Sequence, residues 1–326
     1  MSFVSNELFN NVLLEPIRQG ADELYIVSGY ATATMATRHI DAARSLHRGL
    51  KIRLIIGMTS ADGIERKNHA GLVELHTGVS GADFRCNYVI DRPPVHTKVY
   101  SWFRQGVPLI GYVGSANYTQ NAFSPSMRET LAEHDAADCF DYFNALIGET
   151  IECVSEDAPD LVQIYDNRVA ERRQEEVAMA EIQSAVKDSE TSVERVELPL
   201  LKRNGQMPGR SGLNWGQRPE LRREPNQAYL KVPSFVYRTD FFPDIATHFT
   251  VATDDEKTFI CARAQENGKA LHTPLNNSLL GEYFRFRLNV SNGAEVTLAH
   301  LQQYGRDTVT FYKIDEETYY MDFSVR

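Results

Sequence analysis

The fold is decided by the stretch HTKVYSWFRQGVPLIGYVGSAN, residues 96–117. Its apolar and aromatic residues predict one strand over 96–103 and a second over 109–113. On either side, strands are expected over 24–27, 52–56 and 84–90, and helices over 8–17, 34–48, 62–76 and 140–151. The continuous aliphatic run over 52–56 is typical of a strand that is buried on both faces. The first half of the chain therefore predicts an α/β domain, with a mixed sheet and helices on both faces.

Polar side chains stand at the ends of the two central strands. Residues i and i+2 of a strand point to the same face, so His96 and Lys98 are expected to project together. Ser115 and Asn117 come directly after Gly114, where the second apolar run stops. Because adjacent strand ends meet at one edge of a sheet, we expect both pairs to share a pocket.

Such a pocket suits the hydrolysis of a phosphodiester. The neutral imidazole of His96 can attack phosphorus and form a covalent intermediate, and a second imidazole can protonate the leaving oxygen. Lys98 and Asn117 can neutralise the phosphoryl oxygens, and the Ser115 hydroxyl can donate a further hydrogen bond. Fixed cationic and dipolar groups replace a metal ion in this scheme, so no metal cofactor is expected.

The two pairs are informative only together. Each occurs often by chance, whereas both in this order, separated by a strand that ends at Gly114, form a strong signal. The simpler interpretation is an edge strand with ordinary surface residues, followed by a turn.

Length and composition indicate a two-domain protein. A chain of 326 residues fits two domains at roughly 150 residues each. The four cysteines form no C-x-x-C pair, so a zinc site is not expected. The start of the chain has no signal-peptide pattern, and the apolar runs are shorter than the ~20 residues of a membrane span. We expect a cytoplasmic protein without membrane contact.

The second half has a different character. A charged and polar stretch predicts a linker over 179–196, between an α/β domain over 1–178 and a second domain over 197–326. Strand-like alternation over 258–264, 309–314 and 318–325, with short helices over 282–287 and 298–304, predicts a mostly-β domain.

A local basic segment indicates DNA as the substrate. The net charge of −10 gives no chain-wide nucleic-acid signature, yet residues 198–231 carry seven cationic and two acidic side chains. Arginine, asparagine and glutamine read base edges, and arginine and lysine bind phosphate. A solvated basic loop is the simpler interpretation. The candidate DNA-contacting residues are Lys202, Arg203, Arg210, Asn214, Trp215, Gln217 and Arg218.

The four motif residues resemble the phospholipase D superfamily motif. The resemblance implies that His96 is the nucleophile or the acid, and that Lys98, Ser115 and Asn117 bind phosphate. Glu129 stands where related nucleases keep a carboxylate that orients the histidine; otherwise it is an exposed strand glutamate. The acidic residue usual a few positions after the lysine is missing. The mechanism needs two histidines and the chain has one H-x-K, which predicts a homodimer with one shared site.

The second half resembles the C-terminal domain of NgoFVII/NgoAVII-like restriction endonucleases, on the residues at 213–218, 276–288 and 304–312. This resemblance implies a pseudobarrel similar to the B-three domain of plant transcription factors, and the same architecture occurs in the metal-independent enzyme BfiI. It also implies two arms that grip the major groove, over 210–218 and 268–277. The second arm adds the candidates Lys269, His272, Thr273 and Asn276.

The resulting prediction is a sequence-specific, type II-like restriction endonuclease that acts on double-stranded DNA. Two alternatives are a DNA-binding protein with a vestigial nuclease site and a phosphodiesterase that acts on lipid or another non-DNA substrate. A restriction system implies a methyltransferase, and some relatives imply an ATP-dependent translocase. The charged stretch over 169–182 could dock such a subunit, although packing on its own domain is the simpler interpretation.

Overall fold

The computed structural model describes residues 2–78, 83–125, 127–166 and 194–325. Contacts within the chain separate two units, Met1–Asp166 and Asn167–Arg326, and each is described by itself. The predicted domain end at 178, most of the predicted linker and the charged stretch over 169–182 lie outside the described residues. The domain boundaries and the docking role of that stretch therefore stay predictions.

The first unit alternates strands and helices. Its strands are β1 (Phe3–Val4), β2 (Glu23–Ser28), β3 (Lys51–Ile56), β4 (Ile64–Glu65), β5 (Asp83–Val89), β6 (Lys98–Arg104), β7 (Val107–Gly114), β8 (Leu131–His134), β9 (Thr150–Glu152) and β10 (Ile164–Tyr165). Its helices are α1 (Glu15–Arg18), which follows a π-helical turn over Phe9–Leu14, α2 (Ala33–Ala43), α3 (Thr59–Asp62), α4 (Arg66–His76), α5 (Ala136–Ile147) and α6 (Ala158–Leu161). Eight strands form a mixed sheet in the order β1-β8-β7-β6-β2-β3-β5-β9, and β4 pairs separately with β10.

Alternate residues of the central strands face opposite sides of this sheet. On one side, Val27 and Ile55 form an apolar cluster with Phe143 of α5. On the other side, the buried Trp102 donates its indole N–H to the Val12 carbonyl at 2.9 Å. Burial on both faces accounts for the continuous aliphatic run of β3. The predicted mixed sheet with helices on both faces is confirmed.

The first strand of the deciding stretch begins later than predicted. β6 starts at Lys98, and His96 lies in the preceding loop. The prediction that His96 and Lys98 share one face of a strand is therefore wrong. Their side chains meet for a different reason, which is the close packing of the His96 loop on the neighbouring strand ends.

Two helix boundaries also differ from the sequence prediction. The helix predicted over 62–76 begins at Arg66. Its cap is Glu65, whose carboxylate accepts from the Asn68 N–H at 2.7 Å, while Asp62 ends the separate short helix α3. The helix predicted over 140–151 ends at Ile147, and Ile151 belongs to the edge strand β9.

The second unit is a strongly curved sheet with short helices packed against it. Its strands are β11 (Arg195–Pro199), β12 (Leu230–Lys231), β13 (His248–Thr253), β14 (Thr258–Ala264), β15 (Ala270–His272), β16 (Thr308–Lys313) and β17 (Thr318–Asp322), and its helices are α7 (Ser234–Tyr237), α8 (Leu279–Arg287) and α9 (Leu298–Tyr304). The strand order is β11-β16-β17-β13-β14-β15-β12, and the outermost strands β11 and β12 contact each other. The sheet is thus a nearly closed barrel, as the family resemblance implies.

Aromatic rings fill the inside of this barrel. Phe242 stacks on Phe249 with ring centroids 5.7 Å apart, and Phe311 and Tyr319 pack edge-on or tilted against the same ring. All of these rings are almost fully buried, so they are the anchor of the domain core. None of the helices in the described part of the chain is long and apolar enough to span a membrane.

Candidate active site and candidate DNA-binding loops

Two glycines let the His96 loop lie directly on the ends of β2 and β3. A Cβ atom on Gly29 would come within 3.0 Å of His96 Cδ2, and one on Gly57 would lie 1.9 Å from the Val95 carbonyl oxygen. The Gly29 N–H donates to the Thr97 carbonyl at 3.1 Å, and the Val95 N–H donates to the Gly57 carbonyl at 3.0 Å. Any larger residue at Gly57 would push the loop away, so these glycines fix the position of His96.

Lys98 lies beneath the exposed His96 and is itself buried. Its Nζ donates to the His96 carbonyl at 2.6 Å and lies 3.2 Å from each nitrogen of the imidazole ring. An ammonium group can only donate hydrogen bonds, and a neutral imidazole has one nitrogen that can accept. The Lys98 Nζ can therefore donate to only one of the two ring nitrogens at a time. Burial lowers the pKa of Lys98, and the negative charge of Glu129 opposes that shift.

The Asn117 amide is oriented by the end of β2. Its Oδ1 accepts from the Tyr30 backbone N–H at 3.1 Å and lies 3.4 Å from the Ser28 hydroxyl, which donates to the Tyr30 carbonyl at 2.6 Å. Because Oδ1 accepts from a backbone N–H, the NH₂ group must point the other way. Within the described residues, this NH₂ group has no hydrogen-bond partner. It is therefore placed to donate to a ligand.

Glu129 contacts Ser115 and not His96. The Ser115 hydroxyl donates a short hydrogen bond to the Glu129 carboxylate and accepts from the Thr130 N–H at 3.1 Å. Glu129 also acts on Lys98 through its charge. The structure thus brings His96, Lys98, Ser115, Asn117 and Glu129 to one edge of the sheet, with Glu129 next to Ser115 and close enough to Lys98 to act on its charge.

Sequence reasoning missed Ser28, Gly29, Tyr30 and Gly57, which all frame this site. The sequence Ser28-Gly29-Tyr30 directly follows an apolar run and could have indicated them. A glycine at the end of a strand indicates that another segment of backbone approaches closely there. Within the described residues, no group of three or more histidine, cysteine, aspartate or glutamate side chains could hold a metal ion.

In the second unit, several candidate DNA-contacting residues face inward. Asn214 is fully buried; its amide donates to the Pro208 carbonyl at 2.9 Å and to the Val296 carbonyl at 2.7 Å, and accepts from the Val296 N–H at 2.9 Å. Gln217 donates to the carbonyls of Pro225 and Gly293, both at 3.1 Å. These hydrogen bonds stabilise the basic loop, which is the basic part of residues 198–231, and they are made within the protein.

The second predicted arm also has an internal part. β15 interrupts it, so that Lys269 precedes the strand and Thr273 follows it. Thr273 is buried, and its hydroxyl donates to the Asn276 carbonyl at 2.7 Å. The half-buried His272 has its Nδ1 within 2.7 Å of the Asn277 Oδ1. Asn276 accepts through Oδ1 from the Ser278 N–H at 3.0 Å, as a turn asparagine does.

The cationic candidates lie at the surface or close to it. Lys202 and Arg203 are exposed in a turn. The exposed Arg210 pairs with Glu220 at 3.0 Å, and the half-buried Arg218 donates to the Arg210 carbonyl at 2.7 Å. Trp215 is half-buried, with the Arg223 guanidinium 4.2 Å from its ring centroid. Lys269 lies 3.6 Å from Glu266.

Comparisons with known proteins match both halves of the chain. Residues 6–158 match the NgoFVII restriction endonuclease N-terminal PLD domain, and residues 188–315 match the NgoFVII C-terminal B3-like DNA-binding domain. Among solved structures, NucT from Helicobacter pylori is 17% identical with a TM-score of 0.34, over 46% of this chain and 97% of its own. Nuc from Salmonella typhimurium, a phospholipase D family member, is 15% identical with a TM-score of 0.35, over 46% of this chain and 94% of its own. No curated protein matches the chain.

Proposed function

Because this chain belongs to the family of NgoFVII restriction endonucleases, we propose that it cuts duplex DNA at a specific sequence through a phosphohistidine intermediate, without a metal ion. It is a DNA-hydrolysing enzyme with a nuclease domain of phospholipase D type and a B3-like DNA-binding domain. The finer proposal concerns the mechanism, the assembly and the residues that carry each step. The cytoplasmic location of the protein stays a prediction.

The proposal rests on the convergence of the exposed His96 imidazole, the Lys98 ammonium and the outward-facing Asn117 amide at one strand end. A phosphodiester placed there meets a nucleophile and two donors for its non-bridging oxygens. Such donors stabilise the charge that develops on those oxygens as the nucleophile approaches.

The proposed reaction has two displacements at phosphorus. A lone-pair nitrogen of the His96 imidazole attacks, the P–O bond to the leaving sugar oxygen breaks, and a second imidazole gives that oxygen its proton. Water then attacks the phosphohistidine, loses its proton to the same second imidazole and releases the histidine. Lys98 and Asn117 bind the non-bridging oxygens throughout, while Glu129 orients the Ser115 hydroxyl and supports the charge on Lys98.

The second imidazole is proposed to be His96 of a second copy of the chain. The sequence contains one H-x-K, so one chain supplies one histidine of this kind. Two copies related by a two-fold axis would build one site with two histidines. When wild-type and His96→Ala chains are mixed in equal amounts and allowed to exchange, about a quarter of the dimers should keep both histidines. About half of the wild-type activity would instead indicate independent chains, and an active monomer in sedimentation would overturn the shared site.

The central experiment is plasmid digestion in EDTA with wild type, His96→Ala and the matched control His47→Ala. The control removes a half-buried histidine of the same unit that lies outside the site. Wild type and the control should cut at the same positions, and His96→Ala should be slower by at least about 10³-fold. Equal cutting by His96→Ala, or no cutting in EDTA that is restored by Mg²⁺, would contradict the mechanism. Binding without cleavage under every condition would support the vestigial-site alternative.

Sequence recognition is assigned to the second unit. The proposed phosphate contacts are Lys202, Arg203, Arg210, Arg218 and Lys269, and Trp215, His272 and Asn276 are proposed to face the groove. The inward-facing Asn214, Gln217 and Thr273 are proposed to shape the two arms, because their hydrogen bonds are made within the protein. Substitution of the first group should weaken binding without changing the fold of the unit.

A further inference from the structure

Tyr30 makes three contacts that converge on the active site. Its ring meets the His96 ring edge-to-face, with centroids 5.9 Å apart and planes inclined by 79°. Its backbone N–H donates to the Asn117 Oδ1 at 3.1 Å, and its hydroxyl donates to the Asp62 carboxylate at 2.5 Å. Tyr30 thus contacts the proposed nucleophile His96, orients the Asn117 amide, and has its own hydroxyl fixed by Asp62.

The Tyr30 side chain is not in the protein core. It is 42% exposed, and Asp62 is exposed as well. A ring at the rim of a sheet adds little packing energy, and an exposed phenol would otherwise rotate freely about χ1. The bond to Asp62 restricts that rotation and raises the pKa of Tyr30, which keeps the phenol protonated as a donor.

Asp62 is itself well placed to act as an anchor. It is the last residue of α3, and the next residue, Gly63, has φ of 71°. A Cβ at Gly63 would lie 2.3 Å from the Gln163 carbonyl oxygen, and the Ile64 N–H donates to that same oxygen at 2.8 Å. The anchor is therefore held by backbone contacts with a neighbouring segment.

Within the part of one chain that the structure describes, no carboxylate contacts the His96 ring. The only hydrogen-bonding group that meets its ring nitrogens, among the residues described, is Lys98 Nζ. Glu129 lies on Ser115 instead, and Phe103 and Arg104 stand where an acidic residue would follow the lysine. A histidine that attacks phosphorus needs a fixed ring plane, because misplacement by about 1 Å can cost ~10²-fold in rate.

We propose that Tyr30, anchored by Asp62, is a positioning residue that holds the plane of the His96 ring. This inference rests on the proposed function, in which His96 is the nucleophile. The aromatic contact fixes the ring plane from within the same chain. The competing role for an exposed ring at this rim is stacking on a DNA base, which would act on substrate binding and not on turnover.

Four variants separate these roles. Tyr30→Leu removes the ring, Tyr30→Phe removes only the bond to Asp62, Asp62→Ala removes the same bond from the other side, and the double variant Tyr30→Phe/Asp62→Ala completes a cycle. Phe3→Leu is the matched control, since Phe3 is an exposed aromatic side chain of the edge strand β1.

Turnover and binding should respond differently. We expect kcat of Tyr30→Leu to fall by roughly tenfold to a hundredfold, with KM and DNA affinity within about twofold of wild type. Tyr30→Phe and Asp62→Ala should show equal and smaller losses, and the double variant should lose no more than either. A loss confined to KM would assign Tyr30 to base stacking, and equal kcat in Tyr30→Leu and wild type would overturn the proposal.

A second measurement does not depend on cleavage. In histidine-labelled protein, the His96 imidazole resonances are assigned by their loss in His96→Ala. Tyr30→Leu should shift them through the missing ring current, whereas Tyr30→Phe and Phe3→Leu should leave them almost in place. Unmoved resonances in Tyr30→Leu would overturn the proposal even in an inactive protein. Shifted resonances in a protein that cuts no DNA would instead count against the proposed function alone.

Discussion

The active site and the basic loop of the second unit use the same residue types in opposite ways. In the active site, Asn117 has its oxygen held by the protein and its NH₂ group turned outward. In the basic loop, Asn214 has both ends of its amide held, by Pro208 and Val296. One asparagine has a donor that is free to bind a ligand, and the other stabilises the loop that carries the proposed DNA contacts.

This difference shows which polar groups can bind a ligand and which are already used in hydrogen bonds within the protein. A buried polar group must be paired, so its hydrogen bonds stabilise the loop and are not free for DNA. An exposed polar group with an unpaired donor is bonded to water, which a ligand can replace. The two regions should therefore respond to substitution in separate ways, with lost turnover in one and lost loop structure or lost binding in the other.

The largest expected effect is on turnover and belongs to Lys98. Lys98→Met keeps the length of the side chain and removes the charge beside His96. We expect cleavage at saturating DNA to slow by about 10²–10³-fold, the usual result of removing one donor to a developing anion. DNA affinity and thermal unfolding should stay near the wild-type values. Single-turnover cleavage and gel-shift assays measure the two quantities.

The same assays test whether the regions are separable. If Lys98→Met weakened DNA binding as strongly as a substitution in the basic loop, the nuclease unit would contribute to affinity and the contrast between the regions would fail. Arg18→Met is the matched control, because Arg18 is a partly exposed cation of the first unit paired with Glu15.

The next effect is on stability and belongs to Asn214. Asn214→Leu is close in volume but leaves the two carbonyls and the Val296 N–H unpaired in a buried place. At ~1–3 kcal/mol for each unsatisfied group, with partial relaxation, we expect a loss of about 3 kcal/mol in the free energy of unfolding. Urea denaturation followed by circular dichroism measures it, and hydrogen exchange should place the loss in the second unit.

Asn204→Ala is the control for this prediction. Asn204 lies in the same basic segment, but its side chain is exposed and, among the residues described, bonds only to Gln206. Its loss should cost well under ~1 kcal/mol. Equal losses in the free energy of unfolding for Asn204→Ala and Asn214→Leu would mean that burial does not distinguish the residues that stabilise this loop from those that are free to contact DNA.

A stability effect with a pH dependence is expected in the first unit. The fully buried His39 lies 2.9 Å from the Tyr118 hydroxyl and 3.2 Å from the Leu13 carbonyl, and burial lowers its pKa to about 4. The carbonyl needs a donor, so Nε2 carries the proton and Nδ1 accepts from Tyr118. Between the folded pKa and the ordinary value of 6.5, the unfolded chain binds a proton that the folded chain does not. Stability therefore rises with pH in this window.

From pH 7 to pH 5 this single group should cost about 2 kcal/mol. Trp102 of the first unit reports it by fluorescence once the other tryptophan is removed by Trp215→Phe. Burial also lowers the pKa of His69 and His76, which act in the same direction, so the slope is compared with that of His39→Gln. An identical slope in both proteins would contradict the assignment to His39.

The sequence was sufficient for the α/β alternation, which depends on local periodicity, and for grouping the five candidate active-site residues, which depends on a spaced motif; the barrel followed from the family resemblance. It failed where distant segments decide the outcome. A side chain at position 57 is excluded only because Val95 passes over Gly57, and Asp62 contacts Tyr30 instead of starting the helix predicted over 62–76. Likewise, nothing near Asn214 in the sequence shows that Val296 will enclose it.

The smallest expected effect concerns Lys202 and Arg203. Both are exposed in a turn closed by the Lys202 N–H and the Gln206 carbonyl at 2.9 Å, and neither forms an ion pair with any residue described. Each is therefore available for a DNA phosphate. Replacing either by alanine should lower the slope of log affinity against log salt by about one, equally for specific and non-specific DNA, with no change in turnover. Lys313→Ala, which removes a lysine already paired with Glu316 at 3.3 Å, should leave the slope unchanged. A change in sequence preference with an unchanged slope would mean that these cations read bases, and the basic loop would then resemble the active site in presenting specific donors to its ligand.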